Sequence, residues 1–215
     1  ATTPSVRLRE RVGLSSDAKI ILYVGSLSIS SGHRVDALLA AFGDLEYAKA
    51  DIHLVFAGDG IDAAHLRQQV ERSPARTHIH FLGRFTPPDD FAFAQEADLL
   101  VDPVDRSRAN EAKSSHRVLL ALATGTPVIA GAVGIRPLLL PPALHTACLY
   151  DSDNPKALGA ALIHGLHPTF RAQFRSRTLG HVEQWTWPVL GKQFVRLLES
   201  VTSRPKTSSR RCSTS

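Results

Sequence analysis

The chain contains no methionine, and only two of its 215 residues are cysteine, Cys148 and Cys212. The cysteines lie far apart, one in an apolar segment and one in a polar tail. They build no disulfide framework, so a reducing compartment, the cytoplasm, is expected. A chain that opens on Ala1 without any methionine is expected to be a piece of something longer. No apolar run reaches the roughly 20 residues that a membrane-spanning helix needs, and no charged-then-apolar leader opens the chain. Self-similarity at a period of roughly 20–50 residues is also lacking, which excludes solenoids.

The charge balance excludes another class. The formal net charge is +5, but the last fourteen residues hold Arg204, Lys206, Arg210 and Arg211 with no acid among them. The rest of the chain is therefore close to neutral. A nucleic-acid-binding protein carries its excess on a folded face with interleaved aromatics, so no nucleic-acid partner is expected.

Strand-like apolar runs alternate with segments of helical periodicity. KIILYVGSL, DIHLVFAGDG, HIHFLGRF, ADLLVDPV, PVIAG and HTACLYD read as strands. Between them, RVDALLAAFGDL, IDAAHLRQQVERS, PPDDFAFAQEA and SSHRVLLALATG read as helices, the last ending on Gly125. DNPKALGAALIHGL adds a helix, and residues 168–201 read as two more, broken near Trp185–Pro188. Such alternation predicts an α/β fold with a doubly wound parallel sheet of Rossmann type. The domain reading is a linker or remnant of an interdomain connection over 1–18, in which RLRERVGL reads as a helical turn or linker, a Rossmann-like domain over 19–167, C-terminal helices over 168–201 and a disordered basic tail over 202–215.

Within this plan Ala97 to Ala130 has the build of a site: buried strand, polar loop, amphipathic helix, Gly-Thr-Pro turn and second buried strand. A loop feeding a helix N-terminus gathers free N–H groups that suit phosphate. In an open parallel sheet, ligands sit beyond the carboxyl ends of the strands.

The landmarks ILYVGSL, VDALLAAF, HLVFAGDG, IHFLGRF, ADLLVDP, ALATGTPVIA and WTWPVLGKQFVRLLES, in that order, carry a resemblance. From Lys19 to about Val201 the chain resembles the C-terminal, nucleotide-sugar-binding domain of the family-4 (group 1) retaining glycosyltransferases of GT-B fold. The resemblance implies transfer of a sugar from a nucleotide diphosphate sugar with retention at the anomeric carbon, without a metal or other cofactor. It implies as partners the sugar donor and an N-terminal acceptor-binding domain absent from this sequence, through which alone any membrane association would come. The isolated piece would not catalyse, because a two-domain site is complete only when both halves meet.

The leaving diphosphate needs cations and oriented N–H groups. The family supplies an Arg after the glycine of the first strand and a Lys a few residues later. Here those places, beyond Gly25, fall on Ser26 and His33, with Arg34 beside the latter. His33 would be partly cationic near neutral pH unless a phosphate raised its pKa, and Arg34 could take over or merely begin a helix. NEAKSS resembles a phosphate-facing loop, in which Lys113 would reach the diphosphate and Ser114 or Ser115 would cap the helix and offer N–H and OH groups. Gly83, Arg84 and Phe85 would flank the base, Arg84 by stacking on the ring or else by staying solvated. The family also places two glutamates on this segment, one facing the sugar and one accepting from the ribose. Counting back from Gly125 puts these places at Ala112 and Leu120, with Glu111 one residue out of register as the candidate catalytic group.

Other readings compete. GDGIDA fits a dinucleotide-binding G-x-G-x-x-A but follows the second strand, and Gly58-Asp59-Gly60 reads as well as a structural turn. His78 and His80 alternate on one strand face, with no acid or cysteine at zinc spacing, so no metal site is expected. G-x-S-x-G is absent, against a Ser-His-Asp hydrolase. With Ser26 and Leu120 where an Arg and a Glu would stand, the main competitor is a degenerate domain serving as a non-catalytic binding or scaffolding module.

Overall fold

A computed structural model describes residues 7–45, 47, 50–178 and 180–202. A short helix α1 (Leu8–Val12) precedes strand β1 (Lys19–Val24), which is followed by α2 (Val35–Gly43). The alternation continues through β2 (Ile52–Ala57), α3 (Ala63–Glu71), β3 (Ile79–Gly83), α4 (Asp89–Glu96) and β4 (Leu99–Asp102). Two helices, α5 (Arg108–Ala112) and α6 (His116–Thr124), lead to β5 (Val128–Gly131). Then come α7 (Arg136–Leu139), α8 (His145–Cys148), β6 (Leu149–Tyr150), α9 (Ala157–Gly165) and α10 (Pro168–Thr178). This compact unit runs to His181, and a second begins at Val182 and contains α11 (Trp187–Thr202).

All six strands pair in parallel in the order β3-β2-β1-β4-β5-β6. β1 is central and buried from Ile20 to Val24, which is why its β-branched and aromatic run shows no polar alternation. Strand order reverses between β1 and β4. Connections leave their carboxyl ends in opposite directions and open a crevice there, the place where such sheets take ligands.

Local chemistry matches this plan at α6. Ser115 caps the helix by accepting from the Val118 N–H at 3.2 Å, and Gly125 stops it at φ 68°.

Three expectations are corrected. HTAC is a helical turn and only Leu149–Tyr150 is strand, because His145 Nε2 donates to the carbonyls of Pro137 and Leu140 and curls that segment. The loop after β4 contains α5, capped by the Ser107 side chain. Residues from Leu8 onward belong to the folded unit and not to a linker: Leu8 is fully buried, and Arg9 donates to the carbonyls of Ser15 and Ala18. α10 also joins the first unit, burying Phe170 and Phe174. The basic tail from Ser203 lies outside the described residues.

Candidate functional site

Strand β4 ends on Asp102, a fully buried carboxylate at the carboxyl end of the sheet. Oδ1 accepts from Arg117 Nε at 2.7 Å, with Arg117 Nη2 at 2.6 Å, and Oδ2 accepts from Arg136 Nε at 2.7 Å and Ser115 Oγ at 2.5 Å. Burial alone would raise the Asp102 pKa. Arg117, Arg136 and the Ser115 hydroxyl outweigh it and hold the carboxyl well below the usual carboxylate range. Arg117 is 7% exposed and Arg136 2%. Among the described residues neither has a second carboxylate at ion-pair distance. Two buried guanidiniums thus face one carboxylate, leaving a positive excess at the mouth of the crevice.

Arg117 spends its remaining donors on the β1 side. Nη1 donates to the Val24 carbonyl at 2.9 Å, Nη2 donates to His33 Nδ1 at 3.1 Å, and the guanidinium lies over the Tyr23 ring. A guanidinium has no acceptor, so His33 Nδ1 must accept and the ring proton sits on Nε2. Burial, and then the Arg117 charge, push the His33 pKa down to about 4. The expectation of a partly cationic His33 is therefore corrected. It is a neutral imidazole with an Nε2–H to offer.

The loop carrying His33 is pinned from the other side of the crevice. His33 bridges Val104, and the Arg34 N–H donates to the Pro103 carbonyl at 2.9 Å. The fully buried Asn110 of α5 donates to the Gly32 carbonyl at 2.9 Å and to Asp105 Oδ1 at 2.7 Å, and Lys113 Nζ donates to the Ser31 carbonyl at 3.1 Å.

Glycines let the strand ends pack this tightly. Gly25 donates to the Ala57 carbonyl and Gly58 to the Gly83 carbonyl, both at 2.9 Å. A Cβ on Gly58 would strike the Gly25 carbonyl, and one on Gly60 would strike the Leu27 backbone. The Gly-Asp-Gly of the second strand is thus filled by the β1 exit, which removes the dinucleotide-binding reading.

Residues 18–167 match the family profile described as glycosyl transferases group 1. The chain belongs to this family. A curated relative in Corynebacterium glutamicum, a GDP-mannose-dependent monoacylated alpha-(1-6)-phosphatidylinositol monomannoside mannosyltransferase, is 28% identical over 196 residues, which cover 89% of this chain and 50% of the relative. The alpha-monoglucosyldiacylglycerol synthase of Streptococcus pneumoniae is 28% identical over 123 residues, covering 57% of this chain and 26% of the synthase. The chain thus spans half the length of one curated relative and about a quarter of the other. Among solved structures, Anabaena HepE in complex with UDP superposes with a TM-score of 0.72 at 18% identity, over 90% of this chain and 51% of that one. Sucrose-phosphate synthase from Thermosynechococcus elongatus gives 0.73 at 22% identity, over 90% and 48%. These likenesses show the fold, the Rossmann-like sheet of GT-B glycosyltransferases.

On this glycosyltransferase frame the expected site residues separate. Gly25, His33 and Ser115 gather around Asp102 and Arg117, and Lys113 reaches the His33 loop at the Ser31 carbonyl. Ser115 caps the helix as expected, but its hydroxyl already donates to Asp102 and is not on offer to a phosphate. Ser26 and Ser114 are exposed beside the crevice. Arg34 turns away: Asp36 holds its Nε and Nη2, and it lines a separate cavity of about 690 Å³ with Asp105, Arg106, Tyr150 and Lys156. Gly83 is left-handed at φ 71°, Arg84 is exposed and reaches Asp59 at 3.4 Å, and Phe85 packs edge-on against Phe93. Glu111 is exposed on α5, and Leu120, 5% exposed, belongs to the core. His78 stacks on His53, which lies 3.0 Å from His80 Nε2 and 3.0 Å from Asp51 Oδ1.

Asp102, Asn110, Arg117 and Arg136 were not among the expected residues. Two carried a signal. Asp102 ends a run of apolar strand residues, and Arg117 interrupts the apolar face of α6, where a charge needs a buried partner. No helix among the described residues is long and apolar enough to cross a membrane.

Proposed function

We propose that this chain is the donor-binding half of a glycosyltransferase that transfers a sugar, with retention at the anomeric carbon, from a nucleotide diphosphate sugar. The observation that carries the reading is the buried positive excess of Arg117 and Arg136 over Asp102 at the switch point of the sheet. Buried charge of one sign calls for a partner of the other, and a diphosphate leaving group is such a partner. His33 Nε2–H, Lys113 and the first N–H groups of α6, which lie outside the intrahelical ladder, are the donors placed to meet it. Glu111 would approach the sugar, and Gly83 to Phe85 would flank the base. HepE has been solved with UDP and with UDP-glucose, and the C. glutamicum relative is named for GDP-mannose, which supports the donor class. The solved neighbours extend over about twice the span matched here, which supports a second, acceptor-binding half.

The test is calorimetric titration of the whole chain with UDP-glucose and GDP-mannose. Saturable binding to one of them, weakened about tenfold in Lys113→Ala, supports the donor site. Silence up to about 1 mM of both ligands overturns it.

A second reading has its own observation. Leu120 is buried and Ser26 carries no charge, so the places where the resemblance puts a ribose acceptor and a cation are empty of both. A domain that binds nucleotide sugar but transfers none fits these two positions. Donor binding without sugar transfer, measured after the chain is joined to an acceptor-binding half, would favour it.

A further inference from the structure

At the amino-terminal ends of β2 and β3, the opposite end of the strands from the crevice, four titratable side chains come into contact. Asp51 precedes β2 and His53 is its second residue, while His78 ends a 3-10 turn (Arg76–His78) just before β3 and His80 is the second residue of that strand. The β2–β3 pairing begins at Leu54–Ile79, with Val55 opposite His80, and His78 reaches the His53 ring from the turn just before it. His53, 7% exposed, is the middle of the group. Its Nε2 lies 3.0 Å from Asp51 Oδ1 and its Nδ1 lies 3.0 Å from His80 Nε2, while its ring stacks on that of His78 at 4.8 Å. One ligand atom each from Asp51, His53 and His78 falls within 4.8 Å of the other two.

We propose that Asp51, His53 and His78 form a binding site for a divalent transition-metal ion, with Zn²⁺ the best match. Two imidazoles and a carboxylate are a donor set that suits zinc, whereas calcium and magnesium require oxygen. His80 completes it from behind. When His53 Nδ1–H donates to His80 Nε2, the His53 Nε2 lone pair is left for the metal, the usual arrangement of a supported ligand. The His78 Nδ1 contact to Thr77 Oγ1 at 3.1 Å does the same for His78. Ligands around a tetrahedral zinc stand roughly 3.4 Å apart, so the exposed Asp51 and half-buried His78 must close in. The His78 ring turns off its stack on His53 as they do. The site shares no residue with the crevice and stands whether or not the donor reading does.

The probes are Zn²⁺, by calorimetry, and Co²⁺, by its visible absorption, added to the whole chain at about pH 7.5. Binding of one ion with a tetrahedral-type cobalt band is expected, weakened at least about tenfold by Asp51→Asn and by His78→Ala. Asp51→Asn suits the backbone as well as the aspartate does, because asparagine tolerates the positive φ of 47° found there. A thermal melt of each variant separates lost ligation from lost fold. The exposed His65→Ala should leave binding unchanged. No saturable binding below about 1 mM Zn²⁺, or equal affinity in both ligand variants and the parent, overturns the proposal.

Discussion

Arg117 Nη2 donates to His33 Nδ1 at 3.1 Å, and this one bond decides what His33 can do. The ring keeps its proton on Nε2 and remains neutral, since burial, then Arg117, and further Lys113 and Arg136 disfavour the charge while Asp102 alone opposes them. A neutral donor does not titrate away on the alkaline side of the ordinary histidine range. Affinity for a nucleotide sugar is therefore expected to stay flat between about pH 6 and 8, where a cationic histidine would lose its charge. His33→Gln, which keeps an N–H donor, should bind nearly as the parent does, and His33→Ala about tenfold more weakly. Calorimetry across that range checks both. A loss of affinity centred near the ordinary histidine pKa would count against a neutral His33.

The Asp102 cluster is expected to dominate local stability. Asp102→Asn leaves two guanidiniums buried against a neutral amide, and breaking such a pair costs about 3–5 kcal/mol. Adding Arg136→Met should recover part of that loss, because it removes one of the stranded charges. The half-exposed pair Arg34–Asp36 provides the contrast: Asp36→Asn should cost no more than about 1 kcal/mol. Urea unfolding of the three variants measures all of this. Equal losses in Asp102→Asn and Asp36→Asn would contradict the cluster's role.

How much of this was legible beforehand varies with the physics involved. The sheet and its order of elements follow from periodicity, because β1, β2, β4 and β5 are buried runs and the helices carry an apolar stripe. Turns that depend on one side chain reaching a distant carbonyl, as His145 does, leave no periodic trace. In the site, Ser115 could be placed from local spacing, since its side chain caps α6. Arg117 could not be joined to His33, nor Arg136 to Asp102, because those pairs lie 84 and 34 residues apart and meet only when the strands align. The charge of His33 escapes local sequence for the same reason: it depends on a guanidinium from another helix.

Acid should destabilise the fold in two stages. The folded pKa of His33, about 4, lies below its ordinary value of 6.5, so the unfolded chain takes up that proton first. Its contribution is complete above the ordinary value and declines as the pH falls from 6.5 towards 4. Asp102, held below the usual carboxylate range, contributes above its unfolded pKa and loses that contribution only in stronger acid. Thermal melts should therefore show stability rising with pH between about 4 and 6.5, with a shallower rise in His33→Gln. An unchanged slope in that variant would show that other groups set the acid limit.

Glycine substitutions distinguish the strand exits from the rest of the chain. A Cβ on Gly58 meets the Gly25 carbonyl, part of a backbone that cannot swing aside, and the residue sits at φ 143°. Gly58→Ala is therefore expected to cost at least about 2 kcal/mol. Gly25→Ala should behave differently, although its φ of 141° is also strained, because its Cβ would lie 2.6 Å from Arg117 Nη1. Displacing that guanidinium loosens its bonds to the Val24 carbonyl and His33, so this variant should lose nucleotide-sugar affinity beyond what its lower stability explains. Gly159, inside α9, is the control: a Cβ there meets nothing within 4 Å, and Gly159→Ala should stabilise by about 0.4–1 kcal/mol. Urea unfolding and donor titration of the three variants give the ranking directly. If Gly25→Ala bound the nucleotide sugar as the parent does, Arg117 could not be the group that ties the β1 exit to the donor.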